Sequence, residues 1–138
     1  MSKNTTILRW LLLAGAVYFL AIAIVHMLRI KIPFLFVYYD LPSYGYQDRI
    51  ISFLSFGWSV FLFMASTDPE KNRDAVKAIL VAGIAAILGL NVINRVTNFN
   101  ALSPDVRTSD FRKETLVLST YVAILILFFF LAKKEKNE

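Results

Sequence analysis

The chain has one histidine, His26, and its imidazole is the most versatile chemical group in the sequence. Paired with Asp48 or Asp40 it would make an acid–base couple, provided folding brings separate segments within hydrogen-bond reach. A single histidine rules out an intramolecular bis-histidine haem site, and zinc normally takes three or four protein ligands. There is no cysteine, so only Asp40, Asp48 or Glu114 would be left to assist, and neither a metal nor a cofactor is expected. The same absence excludes disulfides, thiol redox chemistry and palmitoylation. No nucleophile elbow, P-loop or dinucleotide fingerprint occurs, so no catalytic residue is assigned.

A second chemistry is suggested by polar groups at the edges of apolar runs. Asp48, Arg49, Asn91, Asn94, Arg95 and Glu114 all stand there, and the stretch FLFVYYDLPSYGYQDR (residues 34–49) adds Tyr38, Asp40, Tyr44 and Tyr46. Together with His26 they would suit a pocket for a lipid or quinone-like amphiphile, with Arg49 or Arg95 on an anionic head and aromatics on the tail. The simpler reading of the same residues is an interfacial collar, because Tyr and Arg gather at headgroup level in any membrane protein. The sequence favours the collar.

These residues are positioned by four long apolar segments. Hydrophobic residues make up 57% of the 138 and charged ones only 18%, against about 45–50% and 25% in ordinary globular chains. Four runs lack Asp, Glu, Lys and Arg: Trp10 to Leu28, Ile50 to Thr67, Ala78 to Asn94 and Thr115 to Ala132. Each is continuous and much longer than the ~10 residues of a tilted membrane strand. As helices rising about 1.5 Å per residue they approach the ~30 Å of a hydrocarbon core. Segments such as Ile124 to Phe130 are apolar all round, which a soluble bundle does not tolerate.

The expected fold is therefore a single all-α domain, an integral membrane four-helix bundle of up-down topology. Its spans are expected over about residues 8–28, 49–67, 75–95 and 114–132. Ala21-Ile22-Ala23 has the form of a signal-peptidase site. The apolar run nevertheless continues to Leu28, beyond the usual 7–15-residue signal core, so the first helix is expected to stay.

Pro33 disfavours helical backbone before it and ends the first helix. Asp68-Pro69 predicts an N-cap with proline at the first helical position, and Thr108 or Ser109 is expected to cap the fourth helix. Four crossings put the two longer loops, 29–49 and 95–114, on the face opposite the termini. Eight Lys and Arg lie on the termini side and seven on the loop side. That near balance leaves orientation to the dense Lys133, Lys134 and Lys136 cluster, and the termini are expected in the cytoplasm.

Formal charge is +5, yet most of the basic residues sit at helix ends, where they snorkel to phosphates. Membrane lipids are the expected partners, and no basic stripe interleaved with aromatics suggests nucleic acid.

Helix faces can also be assigned. On the second helix Ser52, Ser55 and Ser59 share a side with Asp48, and that side is expected to pack inwards through hydroxyl bonds to neighbouring backbone. On the third, Ala78, Ala82, Ala85 and Gly89 form a stripe of small residues suited to close helix contact. An exposed stripe would instead suit a protein partner or a homo-oligomer. The function expected is that of a non-catalytic subunit or interaction partner in a membrane complex, the alternative being an amphiphile-binding protein or enzyme with its site beneath the two loops.

Overall fold

The computed structural model describes residues 2–30, 45–102 and 108–137. It is all-α: α1 (Lys3–Met27), α2 (Gly45–Thr67), α3 (Arg73–Val96), the single turn α4 (Phe99–Leu102) and α5 (Thr108–Asn137), with no strand among the described residues. The four long helices are each long and apolar enough to cross a membrane. They outrun their charge-free cores because their ends are locally satisfied.

Ser2 caps α1, its hydroxyl accepting from the Thr5 amide at 3.1 Å. At the other end the Ile30 amide donates to the Val25 carbonyl and the Arg29 amide to that of His26, the bond pattern of a Schellman closure. Arg29 occupies the left-handed position normally given to glycine, with φ 55°, at a cost of about 1 kcal/mol. The predicted cap at Asp68 forms, its Oδ1 accepting from the amides of Glu70 and Lys71 at 3.2 and 3.1 Å. It closes one isolated turn, however, and α3 begins only at Arg73. The Asn72 amide group ties this turn to α2 by donating to the Met64 carbonyl at 2.8 Å.

Packing is densest around the start of α1. Leu8, Leu12 and Ala16 meet Leu62 and Ala65 of α2, Val76, Ile79 and Leu80 of α3, and Leu125 and Phe129 of α5 in one buried cluster. Nearby, the Thr5 hydroxyl donates to Glu70 at 3.1 Å, bringing the start of α1 to the α2–α3 turn. At the far end the last turn of α1 meets the first turn of α2, and the last turn of α3 meets α5 about two turns into that helix. Phe99 of α4 stacks on Phe111 of α5 with ring centroids 4.1 Å apart.

The distribution of polarity is inverted relative to a protein folded in water. Phe53, Leu88 and Val96 are all more than 60% exposed, while Thr5, His26, Asp48, Asn94, Glu114 and Thr115 are buried. Such an exterior matches lipid tails, and polar side chains turn inwards to find partners.

Candidate functional site: a polar seam and an apolar cavity

The α1–α2 seam is built from small residues that let a hydroxyl reach a carbonyl. Ser59 donates to the carbonyl of Ala16, and Ser52 to that of Ala23, both at 2.8 Å. The two bonds lie seven residues apart on each helix, the two-turn repeat of closely packed helices. Ser55, between them, is buried.

The seam ends in a charged group. His26 Nδ1 lies 3.2 Å from Asp48 Oδ1, with both side chains almost wholly buried. A carboxylate only accepts, so the imidazole Nδ1–H is the donor. Arg29 places Nε 3.7 Å from the other Asp48 oxygen. The pair has the spacing of an acid–base couple, and it also clamps the facing ends of α1 and α2.

The other residues singled out in the sequence are more dispersed. Tyr46, Arg49 and Arg95 are exposed. Asn91 is also exposed, and its amide donates to the Ile87 carbonyl one turn back at 2.9 Å, so it satisfies itself on its own helix. Asn94 is buried and donates to the Thr115 hydroxyl at 2.8 Å, which in turn donates to the Phe111 carbonyl. Tyr38, Asp40 and Tyr44 lie outside the described residues. Among the described residues no three His, Cys, Asp or Glu side chains converge on a metal position.

Glu114 is placed differently from its neighbours in the sequence. Helix α5 starts six residues before it, so this carboxyl sits well inside the helix rather than at its beginning. It is 6% exposed, and neither oxygen has a hydrogen-bond partner among the described residues. It looks onto a cavity of about 490 Å³ between α1, α2, α3 and α5, within the roughly 300–1,000 Å³ usual for small-molecule sites.

The cavity runs along α5 from Glu114 to Leu125 and along α3 from Leu90 to Ile79, about 17 Å at 1.5 Å per residue. Trp58 and Leu62 close it on the α2 side, and Gly15, Tyr18 and Phe19 on the α1 side. Its walls are apolar except for Tyr18, Lys113, Glu114 and Tyr121. Tyr121 donates its hydroxyl to the Leu11 carbonyl at 2.8 Å, and Lys113 donates to Asp110 at 3.0 Å. Gly15 makes the first possible, since a Cβ there would run into the Tyr121 hydroxyl.

Of the described residues proposed for ligand binding, Glu114 alone lines this cavity. Tyr18, Trp58 and Tyr121 were not singled out as ligand contacts. An aromatic inside an apolar run carries no mark of lining a space rather than filling one.

The alanine–glycine stripe of α3 also differs in use from its expected packing. Ala78, Ala85 and Gly89 are exposed, nothing lies within 4 Å of a Cβ placed at Gly89, and Ala82 borders the cavity. The helix packs instead through Val76, Ile79, Leu80 and Gly83, the last against Val122. Larger apolar side chains fill the core, so the small face is left outward.

No protein-family model, no curated protein and no solved structure matches the chain.

Proposed function

We propose that the chain is an integral membrane, up-and-down four-helix bundle that binds an amphiphile in the cavity beside Glu114. Both longer connections then lie on the face opposite the termini, with the termini in the cytoplasm. The observation that carries this reading is a roomy, elongated apolar space ending in one buried carboxyl group with no hydrogen-bond partner among the described residues. A ligand site needs that combination: apolar walls supply affinity and a single polar group fixes orientation. Side chains of all four long helices border this space without filling it.

The test is native mass spectrometry of the protein released from mild detergent or lipid nanodiscs. Wild type retains a small molecule as a discrete added mass, and Ala82→Phe, which fills the cavity wall, loses it. A bare chain from every preparation would refute the proposal.

A second reading is supported by the outward stripe of α3. As a subunit of a membrane complex, the chain would use Ala78, Ala85 and Gly89 to pack against a helix of a partner or of a second copy. The protein has no cysteine of its own, so Ala85→Cys gives a clean cross-linking probe. A disulfide-linked dimer supports self-association, a cross-link to another protein supports a complex, and an uncrosslinked monomer in native membranes argues against both.

A further inference from the structure

We infer that the occupant of the cavity is a lipophilic amine, held by its protonated nitrogen at Glu114 with its hydrocarbon part lying between α3 and α5. This rests on the amphiphile-binding reading and specifies the chemistry of the ligand's head.

The inference follows from which charges reach the cavity and which do not. A carboxylate buried beside largely apolar walls is disfavoured unless it takes up a proton or meets a cation. Glu114 has two oxygens without a hydrogen-bond partner among the described residues, hence acceptor sites for more than one donor. An ammonium group brings up to three donors and the opposite charge, whereas an alcohol brings one donor and no charge.

Among the described residues the protein's own cations do not fill this role. Lys113 is on the cavity wall but its ammonium is bonded to Asp110. Arg73 lies over the Phe129 ring, 4.6 Å from its centroid, beyond the other end of the cavity. Arg49 and Arg95 are exposed and absent from its walls. An anionic head, such as a fatty-acid carboxylate, would meet Glu114 as a like charge with no cation among the described residues facing it.

Shape agrees with charge. The space extends about 17 Å from Glu114 at 1.5 Å per residue, past Leu118 and Val122 on one side and Gly83 and Ala86 on the other. That elongated outline suits a chain or narrow ring system. Trp58 borders the same slot and reports on it.

The experiment uses the full chain in phosphatidylcholine nanodiscs with Trp10→Phe, which leaves Trp58 as the sole tryptophan. Bromododecylamine, bromododecanol and bromododecanoate are titrated as quenchers of its fluorescence. The expected result is saturable quenching by the amine, with apparent affinity about tenfold weaker in Glu114→Gln and retained in Glu114→Asp. The alcohol binds more weakly and is indifferent to the substitution, and the carboxylate shows only the linear quenching of membrane partition. If the alcohol or the carboxylate saturates as well as the amine does, or if Glu114→Gln leaves amine affinity unchanged, the amine assignment is overturned while the cavity reading survives. If none of the three saturates, both are overturned.

Discussion

His26 and Asp48, twenty-two residues apart in sequence, meet in the buried interior with Nδ1 and Oδ1 separated by 3.2 Å. Arg29 approaches the same carboxyl from a left-handed backbone position just past the helix end, so three charges or potential charges close one corner of the fold. Removing the acceptor leaves a buried imidazole donor unbonded. Asp48→Ala is expected to lower stability by about 2–3 kcal/mol, and Asp48→Asn, which keeps an acceptor oxygen, by about 1 kcal/mol. Unfolding in mixed micelles by titration with dodecyl sulfate measures both.

The serine seam predicts smaller and separable losses. Ser52→Ala and Ser59→Ala each remove one hydroxyl-to-carbonyl bond between α1 and α2. Interhelical bonds of this kind contribute on average about 0.6 kcal/mol in membrane proteins. The double variant is expected to lose the sum, since the bonds lie two turns apart. The same titration, applied to the four members of the cycle, provides the check.

Tyr121 and Gly15 predict the opposite, a strongly coupled pair. Tyr121→Phe loses the bond to the Leu11 carbonyl, about 1 kcal/mol. Gly15→Ala places a methyl group where the hydroxyl sits and forces the ring to shift. With the hydroxyl already gone that conflict is largely removed, so the double variant is expected to be no less stable than Gly15→Ala alone. A double-mutant cycle that came out additive would mean the two residues do not meet.

Glu114 is expected to reduce the stability of the empty protein, as ligand-binding groups commonly do. Replacing it by Leu removes a buried polar group with no hydrogen-bond partner among the described residues and adds apolar surface to the cavity wall. Glu114→Leu is therefore expected to be more stable than wild type by about 1–2 kcal/mol without ligand, while losing all amine-dependent stabilisation. Thermal melts with and without bromododecylamine separate the two effects.

Much of the fold is legible in the residues. Charge-free runs mark four long apolar helices, Asp68 marks the turn before α3, and the serines of α2 mark the face that packs on α1. The pairing of His26 with Asp48 was foreseeable as chemistry but not as geometry, because a loop of unspecified path separates them. Helix α5 begins where the capping residues Thr108 and Ser109 lead one to expect, which puts Glu114 almost two turns inside it.

Two features depend on how helices meet rather than on any one helix. The cavity is bordered by Gly83 and Ala86 of α3 and by Leu118 and Val122 of α5, and neither helix by itself marks the space. The alanine–glycine stripe has the spacing of a contact face, but periodicity does not say which neighbour covers it. Val76, Ile79 and Leu80 took the interior and left the stripe outside.

The most direct test of a ligand site at Glu114 is a crystal structure of the wild-type protein grown from a lipidic mesophase with bromododecylamine, using the bromine's anomalous signal. The expected result is a bromine position between α3 and α5 near Leu125, continuous with density whose nitrogen lies within hydrogen-bond distance of both Glu114 oxygens. Side chains of Trp58, Leu118 and Tyr121 closing the space, with Glu114 bonded to protein and no bromine inside, would contradict it.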